Sequence, residues 1–208
     1  MNSLVDKIIR RIKKFVSNKQ FLRLFPTPTV EVLASEWPEF SNKGAGKKIL
    51  YLAAKYDYGD KSKGISYEEY NFFYTLKNMN GIETIRLDVY SLYHRYGKYI
   101  TNKVIKEVAL LEGVDTILLC LFHDIFDHEL FKDLSDNYPI ETVLWLFDDD
   151  KRYIETAALV PCFNKVVTTI DIRHQVRMKA GLNSYLAQFA ANHYLYKNYN
   201  LTKEFDVV

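Results

Sequence analysis

Short apolar segments alternate with segments of helical periodicity from residue 48 to residue 181, and this alternation restricts the fold more than any other feature. The segment 114–120 (VDTILLC) is an apolar run of the kind that is buried on both faces of a parallel sheet. Strands that alternate with helices at this spacing form βαβ units. The sequence therefore predicts an α/β protein with a Rossmann-like, open, mainly parallel sheet and helices on both faces.

The predicted elements follow one another in a regular order. Strands are expected at 49–54, 82–87, 114–120, 140–147 and 165–169. Helices are expected at 66–79, 100–112, 126–136 and 171–180. Ser66 and Glu69 have the spacing of a capping box at the start of the first helix. We expect the strand order to reverse near the first strand, because the loops 55–65, 122–127 and 148–152 then line one crevice.

Composition limits the class of protein. The chain has 208 residues, of which 48% are hydrophobic and 26% charged, so one folded domain with a sizeable core is expected. No uncharged apolar run is long enough to cross a bilayer. Cys120 and Cys162 lack the spacing of a zinc site or a disulfide framework, which favours a reducing, cytoplasmic location.

Charge is concentrated at the N-terminus. Residues 1–25 carry seven basic side chains and one acidic one, although the whole chain has a net charge of only +2. Apolar residues recur at helical spacing over 4–16, which predicts a basic amphipathic helix. This helix either docks on the domain or binds an anionic membrane surface at the inner face of the membrane. The mild overall charge argues against a nucleic-acid partner.

Prolines and glycines in 26–46 indicate a linker with a short helical turn around 31–37. We therefore divide the chain into a basic helix and linker at 1–46, a Rossmann-like domain at 47–200, and a final segment at 201–208. That segment begins like a strand (KEFDVV) and is interpreted as the start of an interdomain crossing or of a second domain.

Three loops at strand ends carry the candidate site residues, because ligands of open parallel sheets bind outside the carboxyl ends of the strands. Loop 55–65 is long and polar, and functional loops in compact domains are often long. Its candidates for substrate binding are Tyr56, Asp57, Tyr58, Gly59 and Asp60. Turn geometry is an alternative role for the glycines. The loop has no GxGxxG motif, which argues against a dinucleotide.

The other two loops contain candidate acids and bases. His123 and Asp124 are an acid/base candidate pair, with helix capping as the alternative for the aspartate. Asp148, Asp149 and Asp150 follow a buried strand and precede Lys151 and Arg152. Clustered carboxylates raise one another's pKa and provide a general base or a metal ligand. The alternative is again capping of the next helix.

The order of these motifs resembles bacterial GT-B glycosyltransferases of the spore-maturation CgeB-like type. The resemblance covers about residues 47–208 and rests on four segments: KILYLAAKYDYGDKSKGISYEEYNFFYTLKNMNGIETIRLD, PIETVLWLFDDDKRY, FNKVVTTIDIRHQVRMKAG and FAANHYLYKNYNLTKEFDVV. It implies an N-terminal, acceptor-binding half of an enzyme of polysaccharide biosynthesis, which transfers a sugar from a nucleotide-sugar to a glycan or another hydroxyl acceptor.

Several expectations follow from this resemblance. A C-terminal domain, in cis or as a partner chain, would hold the nucleotide-sugar donor, so the chain alone should transfer sugar poorly. No tightly bound cofactor and no metal is expected. The predicted catalytic residues are Asp149 as the acceptor base, with Asp148 and His123. The predicted substrate-binding residues are Tyr56, Asp57, Tyr58, Gly59, Asp60, Asp124, Arg152 and Asn192.

Two alternatives stay open beside this one. In the first, the chain is a non-catalytic Rossmann-like scaffold that recruits a partner or a membrane through its basic helix. In the second, Asp148 and Asp150 form the DxD metal site of a GT-A transferase.

Overall fold

The computed structural model describes residues 28–44, 46–121, 125–188 and 192–196, together with residues 198 and 200. A seven-stranded sheet forms its centre. The strands are β1 (Glu39–Ser41), β2 (Lys47–Ala53), β3 (Ile82–Asp88), β4 (Thr116–Leu119), β5 (Glu141–Leu146), β6 (Lys165–Thr168) and β7 (Ser184–Leu186). The helices are α1 (Val30–Glu36), α2 (Tyr74–Leu76), α3 (Val89–Leu111), α4 (His128–Asn137), α5 (Tyr153–Thr156) and α6 (Asp171–Lys179).

The strand order is β1-β3-β2-β4-β5-β6-β7. Every neighbouring pair is parallel except β1 and β3, which are antiparallel. The chain passes from β2 to β3 on one side and then returns to β4 on the other side of β2. The predicted α/β, mainly parallel fold is confirmed, and so is the reversal at the first parallel strand. This reversal opens a crevice beyond the carboxyl ends of β2 and β4.

Helices cover both faces of the sheet because side chains alternate along each strand. In β2, Leu50 and Leu52 belong to the larger hydrophobic cluster, which also contains side chains of α1, α3 and α4. Tyr51 and Ala53 belong to a second cluster with Phe73 on the other face. The crevice therefore lies at the rim of a sheet that is packed on both sides.

The folded domain extends upstream of residue 47, into the segment where the sequence predicted a linker. Thr29 caps α1 by accepting a hydrogen bond from the backbone N–H of Val32 at 3.4 Å. Leu33 is buried in the larger cluster, and β1 pairs with β3. The described prolines and glycines of this segment lie outside α1 and β1, near their ends, so they do not prevent these elements from forming.

Two helices differ from the sequence prediction. The range of α3 contains two helical segments that are separated at Gly97, whose φ of 84° and ψ of 171° are not helical. The helix predicted at 100–112 corresponds to the second segment, and the first segment, which begins at Val89, was not predicted. The helix predicted at 66–79 contains a π-helical turn, Glu69–Phe73, before α2. Such π-turns are frequent near functional sites. Strand β7 was not predicted.

Some predictions concern residues that the structure does not describe. The amphipathic helix at 4–16, the candidates His123 and Asp124, and the final segment 201–208 lie outside the described residues. Among the helices of the described part, none has both the length and the apolar character needed to cross a membrane.

Candidate functional site

A cavity of about 480 Å³ lies at the carboxyl ends of β2, β4 and β5. Its walls come from the loop after β2, from Leu121 after β4, from Phe147 and Asp148 after β5, and from the first turn of α3. This is the crevice predicted from the strand order. A concave site with aromatic walls and a few polar groups is the usual form of a small-molecule site.

The loop after β2 is closed at its base by backbone hydrogen bonds. The N–H of Ser66 donates to the carbonyl of Lys55 at 3.1 Å, and the N–H of Asp57 donates to the carbonyl of Gly64 at 3.2 Å. Inside this base the chain makes two short 3₁₀ turns, Asp57–Gly59 and Lys61–Lys63. The loop is therefore an ordered wall of the cavity.

Asp60 has a structural role in this loop. Its carboxylate accepts hydrogen bonds from the N–H of Ser62 at 2.9 Å and from the Ser62 hydroxyl at 2.8 Å. These bonds cap the second turn, and Asp60 is not among the residues that line the cavity. Its prediction as a substrate-binding residue is therefore not supported by its position.

Tyr58 and Gly59 both have a left-handed backbone. Tyr58 has a φ of 47° and Gly59 a φ of 68°. A Cβ atom at Gly59 would lie 2.3 Å from Cδ1 of Tyr90, so only glycine allows the Tyr90 ring to approach this turn. The predicted role of Gly59 is thus indirect, because it makes room for an aromatic side chain of the cavity.

Four tyrosines line the cavity: Tyr56, Tyr58, Tyr67 and Tyr90. Tyr58 is 64% exposed and Tyr67 is 48% exposed, whereas Tyr51 is buried in the core. Tyr90 is half-buried and packs against the larger hydrophobic cluster, so it belongs both to the edge of the core and to the cavity wall. At the rim, the Lys63 ammonium lies 4.6 Å from the centre of the Tyr58 ring.

Glu68 is a cavity residue that the sequence reasoning missed. Ser66 fixes the start of its helix by donating to the carbonyl of Ala54 at 2.6 Å and accepting from the N–H of Glu69 at 3.1 Å. Burial raises the pKa of Glu68, and the charge of Asp57 raises it further, while hydrogen bonding to its own backbone and to Ser66 lowers it in part. The sequence signal was the cap at Ser66, but this signal does not distinguish Glu68 from Glu69, whose carboxylate binds Arg86.

The loop after β5 brings Asp148 and Arg152 to the cavity wall. Asp148 has a φ of 48°, a conformation that is uncommon for residues other than glycine. Its carbonyl accepts hydrogen bonds from the N–H groups of Lys151 at 2.9 Å and Arg152 at 3.0 Å. Asp148 and Tyr58 thus both carry left-handed backbone at the cavity, and such strained residues concentrate at functional sites.

Asp149 was predicted to project into the cleft as the acceptor base, and the structure corrects this. Its carboxylate is 0% exposed. It accepts two hydrogen bonds from the Arg177 guanidinium, at 2.5 and 2.7 Å, and one from the Thr168 hydroxyl at 2.6 Å. It does not cap the next helix either, because the N-cap of α5 is Arg152. Asp149 therefore anchors the loop after β5, and its neighbour Asp148 lines the cavity.

Asn192 also occupies a position other than the predicted one. It is buried, its amide donates to the Tyr70 carbonyl at 2.6 Å, and its side-chain oxygen accepts from the N–H of Tyr194 at 3.0 Å. Asn192 does not line the cavity. The bond to Tyr70 holds the segment 192–196 against the helix that follows the first loop, and the bond from Tyr194 forms a turn within the segment.

The two aspartates of the proposed DxD pair, Asp148 and Asp150, do not both line the cavity. Asp148 lines the cavity, whereas Asp150 is exposed and lies outside the lining. Within the part of the chain that the structure describes, no three His, Cys, Asp or Glu side chains are grouped so that they could hold a metal ion.

Fold and site together define a Rossmann-like α/β domain with an aromatic and acidic cavity at the point where the strand order reverses. Comparisons of the chain with protein-family models, with curated proteins and with solved structures return no match.

Proposed function

We propose that the chain is the acceptor-binding half of a glycosyltransferase that uses a nucleotide-sugar donor, and that the cavity is its acceptor site. The observation that carries this proposal is the meeting of four tyrosine rings with carboxylates in one cavity at the strand ends. The resemblance to GT-B glycosyltransferases supports the same reading of the chain.

The lining suits a hydroxylated ligand. Aromatic rings offer apolar faces on which the C–H faces of a sugar ring can stack. The carboxylates of Asp57 and Glu68 accept hydrogen bonds from hydroxyl groups, and Arg152 donates them. A volume of about 480 Å³ accommodates one or two sugar rings.

In this proposal the donor is held by a second domain, in cis or in a partner chain, and no tightly bound cofactor takes part. The chain alone is expected to bind an acceptor and to show little transfer. Its location is proposed to be the cytoplasm, at the inner face of the membrane when residues 4–16 attach there.

A binding experiment on the chain tests the proposal. Uncharged gluco-, galacto- and manno-oligosaccharides, UDP and GDP are titrated with and without Mn²⁺. We expect an oligosaccharide to bind without metal and Tyr67→Ala to abolish its binding. Tyr99→Ala is the matched control, because Tyr99 is 69% exposed and lies outside the cavity lining. Metal-dependent binding of a nucleotide alone would contradict the proposal and favour a DxD site.

A second candidate function is a non-catalytic scaffold recruited to membranes. It is favoured by one sequence observation, the seven basic side chains in residues 1–25. Each basic residue near an anionic surface contributes about 1 kcal/mol, so vesicle binding should weaken with salt. The test is binding to phosphatidylserine vesicles with and without residues 1–25. Unchanged binding after the deletion would end this candidate.

A further inference from the structure

We infer that Glu68 is the cavity carboxylate that accepts a hydrogen bond from a hydroxyl of the ligand, and that ionised Glu68 is required for binding. This inference rests on the proposed function and makes it more specific. The carboxylate role that the sequence predicted for Asp149 is thereby assigned to Glu68. The Asp149 carboxylate faces Arg177, whereas Glu68 lines the cavity.

Contacts with the sheet and with the end of β2 fix the backbone position of Glu68. The Ser66 hydroxyl ties the start of the helix to the Ala54 carbonyl at 2.6 Å. The hydroxyl of Tyr51, a buried residue of β2, donates to the Glu68 carbonyl at 2.9 Å. A site residue held by the sheet and by a helix start needs little rearrangement to meet its ligand.

Two carboxylates that are close in sequence to cavity residues but lie outside the cavity lining are already paired. Glu69 accepts from Arg86 at 2.9 Å, and Asp149 pairs with Arg177. Glu68 forms no ion pair with another of the residues that the structure describes. A half-buried carboxylate without a cationic partner is poorly solvated, so a ligand hydroxyl that hydrogen bonds to it replaces lost water.

The environment also suits proton transfer. Burial raises the pKa of Glu68 toward the range in which a carboxylate is an effective general base. In the proposed reaction the acceptor oxygen forms a bond to the anomeric carbon of the donor sugar, and the bond from that carbon to the phosphate oxygen breaks. The hydroxyl proton passes to Glu68, and the nucleoside diphosphate leaves with the bonding electrons.

The pH dependence of binding is the most direct test, and it must be separated from other titrations nearby. The titratable and charged groups around Glu68 are Asp57, Tyr67, Asp148 and Arg152 of the cavity, Tyr51 and Cys120 of the adjoining core, and Glu69 with its partner Arg86. Asp57→Asn and Asp148→Asn variants identify the contributions of the other two cavity carboxylates.

The experiment measures binding of the uncharged oligosaccharides named above between pH 4 and pH 8. Wild-type affinity should fall as the pH drops through the raised pKa of Glu68. Glu68→Gln should bind roughly 10-fold or more weakly at pH 7 and lose most of this pH dependence, since a hydrogen bond to a charged acceptor is lost. Glu129→Gln, an exposed change in α4, is the control and should behave like wild type.

Each other outcome has a distinct meaning. Equal affinity and an equal pH profile for wild type and Glu68→Gln, with binding still lost in Tyr67→Ala, would overturn the role of Glu68 and leave the proposed function standing. Failure of every oligosaccharide to bind wild type would overturn both. Thermal melting separates contact from a structural role, because a structural role predicts a lower melting temperature for Glu68→Gln.

Discussion

Asp149 and Arg177 form a buried, two-point ion pair that ties the loop after β5 to helix α6. The two guanidinium nitrogens lie 2.5 and 2.7 Å from the two carboxylate oxygens, and the Thr168 hydroxyl donates to one of these oxygens at 2.6 Å. Because the pair holds Asp149 on the α6 side of the loop, Asp148 and Arg152 are left at the cavity wall.

Removing one member of this pair should strongly destabilise the fold. Asp149→Asn leaves the Arg177 charge buried without its counterion, which costs about 3 kcal/mol. For a domain of this size the melting temperature should fall by roughly 6–12 °C. Differential scanning calorimetry measures this change. The double variant Asp149→Leu with Arg177→Met should recover most of the loss, because apolar side chains can replace a buried pair. A melting temperature unchanged by Asp149→Asn would contradict the structural role.

Gly59 and Tyr90 should be energetically coupled. Gly59→Ala places a Cβ 2.3 Å from the Tyr90 ring and also keeps a φ of 68°, which costs about 1–2 kcal/mol for a residue with a side chain. Tyr90→Ala should remove the clash and leave the backbone cost. A double-mutant cycle in urea is expected to give a coupling energy of about 1 kcal/mol or more. Additive effects would mean that the ring moves away freely.

Tyr58 should show a conflict between stability and binding. Its φ of 47° favours glycine, so Tyr58→Gly should be more stable than Tyr58→Ala by about 1 kcal/mol. Both variants remove the exposed ring from the cavity and should weaken oligosaccharide binding equally. Chemical denaturation measures the first effect and calorimetric titration the second. Greater stability for the alanine variant would show that this turn relaxes.

Glu68 should reduce stability at neutral pH. Its folded pKa is raised by burial above the ordinary value of 4.5, so the folded state binds the proton more tightly than the unfolded chain. The stability that the protonated form provides is complete below pH 4.5 and is lost as the pH rises through the folded pKa. Glu68→Gln resembles the protonated form and should melt higher than wild type at pH 7 but equally at pH 4. The reverse order at pH 7 would indicate that the carboxylate stabilises the fold.

The fold was predictable because hydrophobic patterning alone determines strands that are buried on both faces. The observed strands β4, β5 and β6 lie within their predicted ranges. The hydrophobic pattern did not predict β1 and β7. Each of these strands has three residues, and such short strands are defined by pairing with their neighbours. The first helical segment of α3, which begins at Val89, was also missed, and Gly97 separates it from the segment that was predicted.

The sequence predicted which loops form the candidate site, but it did not predict which side chains of those loops line the cavity. The loops after β2 and β5 do line the cavity, as the strand order required. Neighbours in sequence point in different directions, however, and only tertiary contacts decide which one is buried. Arg177, 28 residues from Asp149, draws that carboxylate inward. Similarly, Arg86 binds Glu69 and leaves Glu68 at the cavity.

The closed base of the loop after β2 has a consequence for how such a site evolves. Hydrogen bonds between Lys55 and Ser66 and between Asp57 and Gly64 close the loop where it leaves β2 and enters the helix that begins after Ser66. Changes of sequence or length beyond this closure alter the wall of the cavity without changing the register of any strand. The loop can therefore be replaced as a unit. Ligand preference can then change between proteins that share this domain, while the sheet and its packing stay the same.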